Sequence, residues 1–163
     1  MPELLWIDPD ARPEQLLDGL GEPGARLPVD EQAARADRFL AGLAGLGLQR
    51  QGNPPDPEFL VDSAARLASS WLGVLRFRDW LLDRLRDTFL GGEWHQSCEQ
   101  RTALQFLADW YDGRPGLRLE ELELDRIDEL LRHRGETEGF LFEEEIPERA
   151  PPTHWWWRLP DRG

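Results

Sequence analysis

Residues 57–89 read PEFLVDSAARLASSWLGVLRFRDWLLDRLRDTF, and no proline follows Pro57 until Pro115. Helix interiors exclude proline, because it lacks the N–H and clashes with the preceding turn, so this gap marks regular structure. At 100° per residue, Leu60, Ala64, Leu67, Trp71, Val74, Leu75, Leu81, Leu82, Leu85 and Phe89 fall in one apolar stripe about 100° wide. The start is well marked: Asp56 can cap, Pro57 suits the first helical position, and Glu58 complements the helix dipole. The register continues past Gly73, which predicts one central helix over about residues 57–90, roughly 45 Å long, ended by Gly91-Gly92.

Outward from this stretch, Ser97 and Gln100 read as a capping box opening a helix that carries Leu104, Leu107, Trp110 and Tyr111 to Gly113. A further helix is expected over 119–134, acidic at its start and closed by Arg132, His133 and Arg134 before Gly135. Upstream, Asp30 opens an alanine-rich helix to about Leu46. Gly42 and Gly45 weaken it by up to ~1 kcal/mol each unless they permit a close crossing. A short helix near 13–20 completes the set. Residues 4–7 and 140–142 read as short extended pieces that could pair with each other. The expected fold is all-α: an irregular bundle of four or five helices with extended, proline-rich segments at both ends. Residues 1–146 form the helical domain and 147–163 a Pro/Trp-rich docking tail.

The chain has 163 residues, enough for one domain with its own core, and 40% of them are hydrophobic, which argues against global disorder. The longest apolar run, 39–48, is about half of what a bilayer-spanning helix needs. No export signal is visible, and the single cysteine, Cys98, rules out an internal disulfide. A cytoplasmic location is therefore expected, with no membrane association. The net charge is −13, from 32 acids against 19 bases, all of them arginine. Such a surface repels phosphates, so direct nucleic-acid binding is not expected.

The C-terminal stretch 150–157, APPTHWWW, carries Trp155, Trp156 and Trp157 in a row. Each indole can bury roughly 150–250 Å², so the trio is worth on the order of 10 kcal/mol gross when sequestered. Such a segment must dock, either onto its own domain or into a groove on another protein. Pro147, Pro151, Pro152 and Pro160 hold it stiff, and if it is extended, Trp155 and Trp157 point one way and Trp156 the other. Phe140 and Phe142 precede it beside Glu143-Glu144-Glu145. On the polar back of the central helix, Phe77 and Trp80 with Arg84 form a second aromatic patch. Arg78 projects into the apolar stripe and is expected to snorkel or pair with an acid.

No phosphate-binding, dinucleotide, zincin or nucleophile-elbow string occurs, so no catalytic, cofactor or metal site is expected. His95 and Cys98 have an H-x-x-C spacing but lack further ligands at a recognisable spacing. Asp79, Asp83 and Asp87 form a carboxylate ladder most simply read as a solvated face. The sequence therefore favours a non-enzymatic interaction protein, an adaptor or small complex subunit. Its partner-binding residues would be Trp155, Trp156, Trp157, Phe77, Trp80, Arg84, Phe140 and Phe142. Two alternatives remain: an acidic nucleic-acid mimic, and an enzyme of unrecognised type built on His95 and Cys98.

Overall fold

The computed structural model describes residues 4–87, 93–137 and 141–159. Six α-helices run in order: α1 (Pro13–Leu20), α2 (Val29–Gln49), α3 (Pro57–Ala68), α4 (Trp71–Arg86), α5 (Glu93–Trp110) and α6 (Leu124–Thr137). Three 3₁₀ turns follow the last two helices' course: Leu119–Leu122, Glu143–Glu145 and Trp155–Arg158. The all-α class is as expected, and no strand occurs among the described residues.

The centre of the molecule is α2, not residues 57–90. Its C-terminal half, 39–48, is buried on every side, against α4, α5 and α1. A helix apolar all round belongs inside a core, which is what the longest apolar run of the chain encodes. Its glycines admit close neighbours: Gly42 faces the Leu16 side chain of α1, whereas Gly45 is approached by the N-terminal arm rather than by a helix. A Cβ on Gly45 would overlap the Asp8 carbonyl, which is backbone and cannot swing away.

The single long helix over 57–90 is corrected to two, α3 and α4, separated at Ser69-Ser70. Ser69 and Ser70 N–H groups donate to the Arg66 and Leu67 carbonyls in a tight turn, and Ser69 Oγ accepts from Gly24 N–H at 2.6 Å. Asp56 caps α3 as expected, accepting from Glu58 N–H. The apolar stripe stays in phase across the break because both halves face the same core, so periodicity alone could not reveal the turn. Phe89 and Gly91-Gly92 lie outside the described residues.

Two other boundaries move. Helix α5 begins at Glu93, four residues before the expected capping box, and Ser97 is fully buried inside it. The expected 119–134 helix is a 3₁₀ turn, then Glu123 in the left-handed region (φ 53°), then α6. Gly135 does not stop α6. It sits inside, where Leu159 and Trp94 press against its bare Cα. Arg78 meets the expectation of a paired cation: it bonds the Glu121 carbonyl and lies 2.7 Å from Asp79 and 3.2 Å from Glu123. Arg134 from α6 donates to the Leu85 carbonyl at 2.6 Å, satisfying an acceptor left over at the end of α4. No helix among the described residues is long and apolar enough to cross a membrane.

Candidate interaction surface

The tail docks on its own domain. Trp156 and Trp157 are among the largest fully buried side chains, 1% and 0% exposed, and both reach α5. Trp156 Nε1–H lies 3.1 Å from both the Cys98 carbonyl and Thr102 Oγ1, and Trp157 Nε1–H donates to Thr102 Oγ1 at 2.9 Å. His154 Nδ1 stands 3.2 Å from the same hydroxyl. A hydroxyl has one proton and two lone pairs. With Trp157 donating to it and Trp156 shared between it and the Cys98 carbonyl, Thr102 has its own proton to offer His154 Nδ1, an arrangement that suits a neutral imidazole protonated at Nε2. Burial, with Arg101 nearby, agrees: it pulls the His154 pKa down to about 3.

The expectation that Trp155 and Trp157 share a side fails because Trp155–Arg158 is a 3₁₀ turn, in which successive side chains are about 120° apart rather than 180°. Trp156 and Trp157 therefore turn inward together. Trp155 stays at the rim, half-buried, edge-on to Trp156 with Arg132 stacked 4.4 Å over its ring. Arg101, buried and paired with Asp128 at 2.7 Å, lies 4.4 Å over the Trp156 ring. Of the expected tail anchors, only Trp155 keeps a face toward water.

The other named residues separate in the same way. Phe77 is corrected: at 2% exposure it is core, its ring 5.5 Å from that of Trp6. Arg84 is half-buried beside it, donating to Gln100 Oε1 at 2.6 Å. Desolvation lowers its pKa, against the opposing pull of Glu93 and Asp37. Trp80 remains 47% exposed on α4, and Phe142 is 57% exposed beside exposed Glu143 and Glu144. Phe140 lies outside the described residues.

One functional-looking arrangement had no signal in the sequence reading. Glu99 on α5 is completely buried and accepts the backbone N–H groups of Leu5, Trp6 and Ile7 at 2.8, 2.7 and 2.7 Å. His95 Nε2 lies 3.1 Å from Glu99 Oε2, the oxygen that Leu5 N–H also reaches, without a hydrogen bond to it, and the His95 ring meets Trp157 edge-on. The expected extended piece at 4–7 is corrected: Leu5 and Trp6 form a bend, which is what lets three successive N–H groups converge on one carboxylate instead of pairing with a strand. Three charge-assisted donors replace the water that a buried carboxylate loses. Two clefts flank this arm, one of about 370 Å³ against α1 and α2 and one of about 260 Å³ beside Pro147, Glu148 and Arg149.

His95 and Cys98 are not a working pair. His95 turns to Glu99 and Trp157, whereas the Cys98 thiol faces the Trp156 carbonyl at 3.6 Å. Burial and the nearby Glu99 charge push that thiol well above its usual pKa, opposite to what a nucleophile or thiolate ligand needs. Among the described residues no group of three or more His, Cys, Asp or Glu side chains could hold a metal ion. No protein-family model matches the chain, nor does any curated protein or solved structure.

Proposed function

We propose that this is a non-enzymatic interaction protein whose recognition surface is the outer face of α4, with Trp80 as its anchor. The observation that carries this reading is an indole held 47% exposed on a rigid 16-residue helix while its neighbour Phe77 is buried. Leu72, 57% exposed, lies on the same face two turns away. Large aromatics flanked by charges, on a scaffold that loses no entropy on docking, are the residues that dominate protein interfaces. The buried thiol and the neutral His154 support a structural role for the chemistry-bearing side chains of α5 and the tail.

The test is Trp80→Ala, with co-purification of partners from the native host and far-UV circular dichroism as the two readouts. Binding should fall by a factor of ten or more while the helical signal and Tm stay unchanged. Undiminished binding would exclude this surface as the docking site of a host partner. Salt separates the reading from an acidic mimic of nucleic acid: indole-driven docking changes little between low and high salt, whereas a mimic's affinity collapses.

A further inference from the structure

The exposed face of α4 is self-complementary, and we infer that its occupant is the same face of a second copy of this chain. This rests on the reading above and names the partner. On a wheel of 100° per residue, Leu72, Arg76, Asp79, Trp80, Asp83 and Asp87 occupy one arc about 100° wide, and all six are exposed. Charge along this face is ordered: Arg76 stands toward the N-terminal end, Asp79, paired with Arg78 at 2.7 Å, in the middle, and Asp83 and Asp87 toward the C-terminal end. Arg76 has no ion-pair partner among the described residues, and Asp83, 68% exposed, holds only the exposed Arg86 at 3.4 Å.

Two such helices laid antiparallel, with a twofold axis passing between Asp79 and Trp80, bring opposite charges together twice. Arg76 comes opposite Asp83 of the second copy, at the same height along the helix pair, and Asp83 opposite its Arg76. Both indoles then fall on one side of the pair, next to the axis, where they cover each other, and the two Asp79 carboxylates, each held by its own Arg78 at 2.7 Å, fall on the other side. A twofold contact requires a surface that complements itself, and this charge order does so only in the antiparallel sense. A single helix pair buries less than the about 1,200 Å² of a standard interface, so the dimer is weak and concentration-dependent.

Sedimentation velocity of the full chain across micromolar to millimolar concentration tests this. The mass should rise from near 18.8 kDa toward twice that value. Trp80→Asp should stay monomeric with an unchanged circular dichroism spectrum. Arg76→Asp and Asp83→Arg should each stay monomeric alone, since each sets like charges opposite at both contacts. Mixed in equal amounts they should associate one to one, because both contacts are then attractive. A wild-type mass that stays near 18.8 kDa at every concentration overturns self-pairing, as does a mixture of the two variants that fails to associate. If the wild type is monomeric and Trp80→Ala still loses a host partner, self-pairing falls and the interaction reading stands. If the dimer forms and Trp80→Ala loses no host partner, the second copy alone occupies this face.

Discussion

Three adjacent tryptophans of identical chemistry should differ in their contribution to stability, because they differ in where the 3₁₀ turn places them. Trp156 and Trp157 are 1% and 0% exposed, so each removes about 150–250 Å² from water. At about 25 cal/mol/Å² this is about 4–6 kcal/mol, close to the ~3–5 kcal/mol found for aromatic-to-alanine changes in cores. Either substitution also takes an indole donor from Thr102. Trp156→Ala and Trp157→Ala should therefore each lose about 3–5 kcal/mol, a large share of a typical ~5–15 kcal/mol total. Trp155→Ala should lose about 2 kcal/mol or less, since its ring keeps water on one side and the Arg132 contact adds about 0.5–1 kcal/mol. Urea unfolding followed by far-UV circular dichroism gives the three values from the midpoint shifts at constant slope. Equal losses at the three positions, or less than about 1 kcal/mol at Trp156 or Trp157, would refute cis docking of the tail.

Glu99→Gln should lose about 2–3 kcal/mol and, more tellingly, the slow hydrogen exchange of the Leu5, Trp6 and Ile7 amides, because a neutral amide turns its NH₂ toward donors already there. Gly45→Ala should cost about 1–3 kcal/mol and displace the same arm, seen as changed emission from Trp6, since the new methyl overlaps the Asp8 carbonyl. His154 is neutral in the fold, with a pKa lowered from 6.5 to about 3, so the unfolded chain binds a proton that the folded one does not. Its contribution is complete above pH 6.5 and declines as pH falls toward 3. His154→Phe should accordingly flatten the stability profile between pH 6.5 and 4 relative to wild type, and an unchanged slope there would contradict the neutral assignment.

Much of the fold was legible. Proline gaps, glycine punctuation and the apolar period mark all the helical regions, and α1 appears at residues 13–20 as expected. What could not be read was which helix is central. Periodicity ranks an amphipathic helix above one that is apolar all round, although the latter is the one wholly inside, as 39–48 of α2 shows. The Ser69-Ser70 turn escaped because two helices sharing one core keep one phase; the serine pair was the available sign. The start of α5 escaped for a different reason. The buried first half of that helix holds His95, Ser97, Glu99, Gln100, Arg101 and Thr102, polar side chains that draw no apolar stripe on a wheel. Nothing local to Glu99 announces that three amides more than ninety residues away will converge on it.

For the candidate surface, a helical wheel places Trp80 opposite the stripe, where it is exposed, but sets Phe77 beside it, which the Trp6 ring covers. A wheel assigns direction on one helix. It does not report what another segment lays across it. The tail indoles presented the same difficulty: their apolar area required docking, but only the turn geometry and the Thr102 hydroxyl select the protein's own α5 as the destination.

Proton–nitrogen spectra of the indole groups during hydrogen–deuterium exchange compare the inward and outward tryptophans within one sample. The account predicts that the Trp156 and Trp157 Nε1–H signals persist for hours while the Trp80 signal exchanges at once and shifts as protein concentration is raised. Rapid exchange at Trp156 and Trp157, or a Trp80 signal that is protected and does not move, would contradict it.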